Sequence, residues 1–236
     1  MFYLRFSPRS VAFSLCLLFV LSSLSVRSQI NYNTYGGLGN ELRMIAQPDA
    51  NGNIYLFGYT DSYGAGSTDL LVIKINSQGD TIWANAYGGP NGEFVNGNWA
   101  KIIFINDTVH LVGHTLSYGN GQPDMLWLKL DTNGFLLEST TIGGPAFDFE
   151  STIYNSSDGN IIILYEPLSI GPGNRTIGFI KLTRGGSVLV NGVYWAGSLD
   201  RPSYMCETPD SGFILTGYSS FTTEPVSGII IFKIDS

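Results

Sequence analysis

Histidine and cysteine each occur only twice in 236 residues, and after residue 28 Cys206 is the one thiol left. A single cysteine excludes an intramolecular disulfide, so stability must come from packing. Basic residues are also scarce. Downstream of residue 28, nine Lys and Arg face nineteen Asp and Glu, a net charge of −10. Phosphate backbones are bound by clustered Lys and Arg, so a nucleic-acid partner is excluded. The acidic balance suits a protein kept soluble outside the cell. Also missing after the leader are any apolar run long enough to span a membrane and any helical periodicity of useful length. His110 and His114 are four apart, a spacing that suits zinc on a helix. In a strand it separates them by roughly 13 Å. A metal site needs three or four converging ligands, so both histidines are expected to be structural, and no metal or cofactor is expected.

The first 28 residues read as a secretory signal peptide. Arg5 and Arg9 form its positive end, Val11 to Leu24 its apolar run, and Val26-Arg27-Ser28 a cleavage site before Gln29. The apolar run is shorter than the roughly 20 residues of a membrane span. Cys16 follows Leu15 inside that run, which does not suit lipid attachment. The expected division is residues 1–28 as leader and 29–236 as one domain, secreted or displayed at the cell surface.

What the domain does contain is a repeat. Tyr35-Gly36-Gly37, Tyr87-Gly88-Gly89, Ile142-Gly143-Gly144 and Trp195-Ala196-Gly197 mark four copies, and Lys74, Lys129, Lys181 and Lys233 follow at intervals of 55, 52 and 52 residues. The units run approximately 36–87, 88–142, 143–195 and 196–236. Each reads as four strands; in the first they are 41–47, 54–59, 70–75 and 82–87. Asn, Asp and Gly at 48–53, 76–80 and their counterparts supply hairpin turns. Runs such as Ile161-Ile162-Ile163-Leu164, Leu70-Leu71-Val72-Ile73 and Ile229-Ile230-Ile231-Phe232 are continuous rather than alternating, which implies burial on both faces. A period near fifty built of short strands indicates an all-β propeller of four blades with four antiparallel strands each. Residues 30–35 align with a unit's last strand, 82–87, so they are expected to pair with the C-terminal strand 229–234 and close the ring as a monomer.

The Y-G-G-x-x-x-E, S-Y-G-x-G-x-x-D and K-I-N-x-x-G-D-x-x-W segments of these units resemble the repeats of secreted bacterial and archaeal β-propeller proteins. The resemblance covers nearly all of residues 30–236 and implies the same fold, without fixing an activity.

No G-x-S-x-G elbow or comparable nucleophile context exists, so no catalytic residue is singled out. Asp148 and Glu150 offer a carboxylate pair of glycosidase type, but a solvated loop is the expected setting. Ser77 to Trp83 resembles the Asp-box turn of sialidases with its Asp and Gly in the wrong order, and no arginine cluster for a carboxylate sugar is visible. Glu41, Glu93 and Asp148 share one position after the Gly pair, where the fourth unit has Arg201 with Asp200 beside it. These acids and the periodic lysines are expected to form one repeated structural arrangement. The loop between the second and third strands carries Tyr63, Tyr118 and Phe221 and is closed by Asp69 and Asp124. Loops on a rigid scaffold are the usual binding surface, so these five are the candidate ligand-binding residues, the aromatics for stacking on a sugar ring or peptide side chain. The function expected is a binding or interaction module for an extracellular glycan or protein. The alternatives are an enzyme acting on extracellular polysaccharide and a structural surface or adhesin component.

Overall fold

The computed structural model describes residues 32–95, 101–168, 175–195, 199–220 and 227–235. The leader, Ile30, Asn31 and Phe221 lie outside these. Among the described residues the structure is entirely β, with no helix.

Four antiparallel meanders follow one another along the chain. Sheet one runs β1 (Glu41–Pro48), β2 (Ile54–Thr60), β3 (Asp69–Ile75), β4 (Thr81–Tyr87) in spatial order. In sheet two, β7 (Thr108–Thr115), β8 (Asp124–Asp131) and β9 (Leu136–Ile142) repeat the plan. Its first place is shared by two short strands, β5 (Glu93–Phe94) and β6 (Ile102–Ile105), both paired with β7. Sheet three runs β10 (Asp148–Asn155), β11 (Ile161–Pro167), β12 (Ile177–Leu182), β13 (Val188–Tyr194), and sheet four β14 (Leu199–Glu207), β15 (Phe213–Ser220), β16 (Ser227–Ile234).

The turns form as their composition dictates. Asp49 Oδ1 accepts from the N–H groups of Asn51 and Asn53, Asn76 Oδ1 from Gln78 and Asp80, and Asp131 Oδ1 from Asn133 and Phe135. These Asx bonds fix the turn while Gly79 and Gly134 take φ values of 90° and 84°. Register then shifts beside the lysine in the first three sheets, at Lys74/Ile75, Lys129/Leu130 and Lys181/Leu182. A bulge at a repeated place adds twist, which suits sheets that fan out.

The sheets pack face to face in sequence order. Tyr55, Phe57, Leu70 and Val72 of sheet one meet Val109, Leu111, Leu126 and Leu128 of sheet two. Met125 and Trp127 meet Ile153, Ile161, Ile163 and Ile180 of sheet three. Ile162, Leu164, Ile177 and Phe179 meet Met205, Phe213 and Leu215 of sheet four. Each such side chain, once buried, contributes about 1.5–3 kcal/mol. Hydrogen bonds lock the same joints: Tyr87 Oη donates to Gly134 O at 2.6 Å and Trp83 Nε1 to Thr132 O at 3.1 Å.

The closing strand expected at 30–35 lies partly outside the described residues; Tyr32 to Tyr35 carry no strand, and among the described residues the order of sheet four ends at β16. Two expectations are corrected here. The apolar run of β16 is not buried on both faces. Ile229 and Ile231 are 84% and 67% exposed, whereas the equivalent Leu70, Met125, Ile177 and Val72, Trp127, Phe179 of the other sheets are buried. Those positions face the following sheet, and among the described residues none covers the fourth. Secondly, Asp148 and Glu150 lie in a strand, with Asp148 buried, rather than in a solvated loop.

Candidate functional site

One end of the sheets collects the starts of the first and third strands and the ends of the second and fourth. Its frame is the Gly pair. A Cβ on Gly88 would collide with carboxylate oxygens of both Glu93 and Asp69, and one on Gly143 with Asp124. The first Gly therefore exists because buried acids fill the space a side chain would need. The second Gly makes room for the loop of its own sheet: a Cβ on Gly89 would lie 2.5 Å from Ser117 Cβ, and one on Gly37 2.6 Å from Ser62 Cβ.

The acids satisfy backbone donors. Glu93 accepts from Gly89 N–H at 2.9 Å and Thr115 Oγ1–H at 2.7 Å; Glu41 does the same for Gly37 and Thr60, and Asp148 for Gly144. The lysines belong elsewhere. Lys129 pairs with Glu138 at 2.9 Å, Lys181 with Asp158 at 2.7 Å and Lys233 with Asp210 at 2.9 Å, while Lys74 donates to Thr132 O at 3.1 Å. The single arrangement expected of acids and lysines is thus two. The acids set the loop end, and the lysines the side of each sheet near the opposite turns.

The five candidate ligand residues divide. Asp69 and Asp124 are buried and hold their own loops, accepting from Gly66 N–H at 3.1 Å and Asn120 N–H at 2.9 Å. They shape the surface without facing it. Burial raises the carboxyl pKa of Asp124, helped by nearby Asp148 and opposed by the bond from Asn120. Tyr63 and Tyr118 remain 49% and 46% exposed, each ring resting on the second Gly of the pair. Tyr118 Oη also donates to Gly88 O at 3.1 Å. Each tyrosine borders a groove. One of about 520 Å³ is lined by Tyr63, Gly64, Leu71 and Ala84 to Tyr87. The other, about 230 Å³, lies between Tyr118, Leu126, Leu136 and Ala86 to Gly88.

The residues that differ from sheet to sheet form a second layer. At matching places near the end of the second strand stand Tyr59, His114, Glu166 and Tyr218, and opposite them on the first strand Leu42, Phe94, Phe149 and Arg201. From sheet two to sheet four these link into a ladder. Phe94 stacks on His114 at 4.9 Å, and His114 meets the edge of Phe149 at 5.9 Å. Arg201 lies over the Tyr218 ring at 5.9 Å. Beside it, Arg175 Nη1 is 2.9 Å from Glu166 Oε1. Burial raises the Glu166 carboxyl pKa, opposed by Arg175 and Arg201. The same pressure acts harder on His114, whose pKa falls to about 3 by burial and which is therefore neutral.

The signal of this ladder lies in the repeat alignment. Tyr59, His114, Glu166 and Tyr218 occupy one aligned position where the chemistry changes in each unit. That position reads as an ordinary strand site until the sheets are stacked. Among the described residues no group of three or more His, Cys, Asp or Glu is placed to hold a metal ion.

No family profile and no curated protein sequence matches the chain. Among solved structures it is similar to an α-L-arabinofuranosidase of Clostridium thermocellum, at 16% identity over 82% of this chain and 68% of that one, TM-score 0.43. An endo-1,4-β-xylanase of Bacteroides thetaiotaomicron gives 12% identity over 85% and 72%, TM-score 0.45. A mannose phosphorylase of Leishmania mexicana gives 9% over 96% and 73%, TM-score 0.43. Likeness at this level carries no functional argument, which rests on the chain's own residues.

Proposed function

We propose that this chain is a secreted, propeller-type binding module that recognises an extracellular glycan at the end of its sheets carrying the Gly pairs. The observation that carries this reading is the pair of half-exposed tyrosines, Tyr63 and Tyr118, each fixed against a Gly backbone beside a groove at equivalent places of adjacent sheets. A rigid aromatic side chain loses little entropy on binding and offers a surface for a sugar ring. The repeat sets two such places side by side, as a polymer of repeating sugars requires. Screening residues 29–236 on a glycan array, with the double variant Tyr63→Ala/Tyr118→Ala as comparison, tests it. Binding lost in the variant is expected; retention of full binding would refute the role of the tyrosines.

A second reading, an enzyme acting on extracellular polysaccharide, is favoured by Glu166, a nearly buried carboxyl whose raised pKa suits a proton donor. Release of reducing ends from a polysaccharide, abolished by Glu166→Gln, would establish it.

The module is further proposed to close as a four-bladed ring. Tyr35 Oη donates to Gly79 O at 2.7 Å, as Tyr87 Oη does to the equivalent Gly134 O at 2.6 Å. Tyr35 thus occupies on sheet one the place that the end of β4 occupies on sheet two, and residues 30–35 suit the last strand of a preceding blade. That place beside β16 is the one that would relieve its exposed edge. Deleting residues 29–34 should lower the melting temperature by several degrees or cause aggregation; an unchanged, monomeric variant would sink closure. Secretion itself is checked by N-terminal sequencing of exported protein, which should begin at Gln29.

A further inference from the structure

Only four arginines lie beyond the leader, at positions 43, 175, 184 and 201. Two of them, Arg175 and Arg201, belong to the joint between sheets three and four. Arg175 precedes β12, and its carbonyl accepts from the N–H of Asp200 at 3.0 Å, which sets it against the strand that carries Arg201. Glu166 pairs with Arg175 at 2.9 Å, and its strand β11 packs on β14, the strand that carries Arg201. Arg201 thus adds an exposed guanidinium to a joint that also holds the Arg175–Glu166 pair and the buried Asp200. Arg201 is exposed, and its partner Tyr218 is 40% exposed on the same rung.

The two arginines differ in what engages them. Arg175 is held by the nearly buried Glu166, whereas Arg201 is exposed, with the Tyr218 ring beneath it. Guanidinium forks match planar carboxylates in two parallel bonds. Tyr218 offers a half-exposed ring beside Arg201.

We infer that Arg201, Arg175 and Tyr218 form a subsite for a sugar bearing a carboxylate, with the acid on the guanidiniums, Glu166 holding Arg175 in place and the ring against Tyr218. The inference rests on the glycan-binding reading and names the class of glycan. It also places recognition at sheets three and four, where the loop tyrosines of sheets one and two have no described counterpart.

The test is calorimetric titration of residues 29–236 with trigalacturonate and with its fully methyl-esterified form, which keeps the rings and removes the charge. The acid is expected to bind at least about tenfold more tightly, as loss of one charge-assisted pair implies. Arg201→Gln should abolish the advantage of the acid over the ester. Arg201 is exposed and its loss leaves Arg175 on Glu166, so the fold is expected to persist, as far-ultraviolet circular dichroism will register. Arg201→Lys should restore only part of the preference, because a point charge replaces a fork. Equal affinity for acid and ester, or a preference that survives Arg201→Gln, overturns the subsite while leaving glycan binding in place. Binding of neutral glycans alone does the same. Failure to bind any glycan on the array overturns both the subsite and the function it rests on.

Discussion

Acid should unfold this protein earlier than its carboxylates alone require, because two imidazoles are buried neutral. His110 and His114 are both fully buried. Burial lowers their pKa from 6.5 to about 4 and about 3 respectively. At His110 the charge of Lys129 acts in the same direction and Glu138 opposes it; at His114 an interaction with the Asp148 backbone opposes. In the unfolded chain both groups titrate near pH 6.5. Below that value the unfolded state binds protons that the folded state refuses. The contribution is therefore fully present above pH 6.5 and is lost as pH falls toward the folded values. The slope approaches roughly 1.4 kcal/mol per pH unit for each imidazole. Going from pH 6.5 to 4.5 then removes on the order of 2 kcal/mol per histidine, a large share of the ~5–15 kcal/mol stability of an ordinary domain.

Carboxylates held below their usual pKa, Asp158 and Asp210 among them, lose stabilisation only below about pH 4, so the two effects separate. His114→Phe isolates one imidazole, since a phenyl ring keeps the stack on Phe94 and the edge contact with Phe149. Urea unfolding followed by tryptophan fluorescence, in steps from pH 7.5 to 4.5, gives stability against pH for both proteins. The stability difference between them should be constant above pH 7 and shift in the variant's favour by roughly 1.4 kcal/mol per unit below pH 6. Parallel curves across pH 6.5 to 4.5 would refute the burial of a neutral imidazole at His114.

Gly88→Ala should cost more than about 2 kcal/mol in the same urea assay, because its Cβ would meet Glu93 and Asp69. Gly52→Ala meets nothing within 4 Å and suffers only from its φ of 81°, so a cost near 1 kcal/mol is expected; equal costs would remove the steric account of the Gly pair. Lys181→Met should cost about 0–1 kcal/mol, since Asp158 is largely open to solvent, and the loss should shrink in 1 M salt. A loss above 2 kcal/mol that salt does not change would show that the pair is buried more deeply than the structure has it.

Strand order, turn positions and the acid at the Gly pair were readable because each rests on local chemistry repeated several times. Asp49, Asn76 and Asp131 make the same Asx bonds wherever the turn recurs, so their positions alone locate the hairpins. Burial was only partly readable. Ile161 to Leu164 and Ile229 to Phe232 look alike as runs, yet the second has one bare face, because burial of a sheet depends on the sheet that follows it. The separation of lysines from acids was not readable either, since residues at matched intervals can lie at opposite ends of a strand.

Repetition also separates scaffold from site. A residue kept in every unit, such as the Lys beside the bulge, answers a need that every sheet shares. A position that is Tyr59, His114, Glu166 and Tyr218 in successive units answers no shared need and is where individual chemistry accumulates. Its meaning depends on a neighbour that no interval along the chain supplies. Arg175 and Arg201 are separated by two full strands, β12 and β13, and Glu166 belongs to the strand before both. Only stacking sheet four on sheet three brings the strand of Arg201 against the strand of Glu166 and its partner Arg175. The chain has too few arginines for a cluster to appear in its sequence, yet the fold assembles half of them at one joint, beside an exposed ring, in a domain otherwise dominated by negative charge.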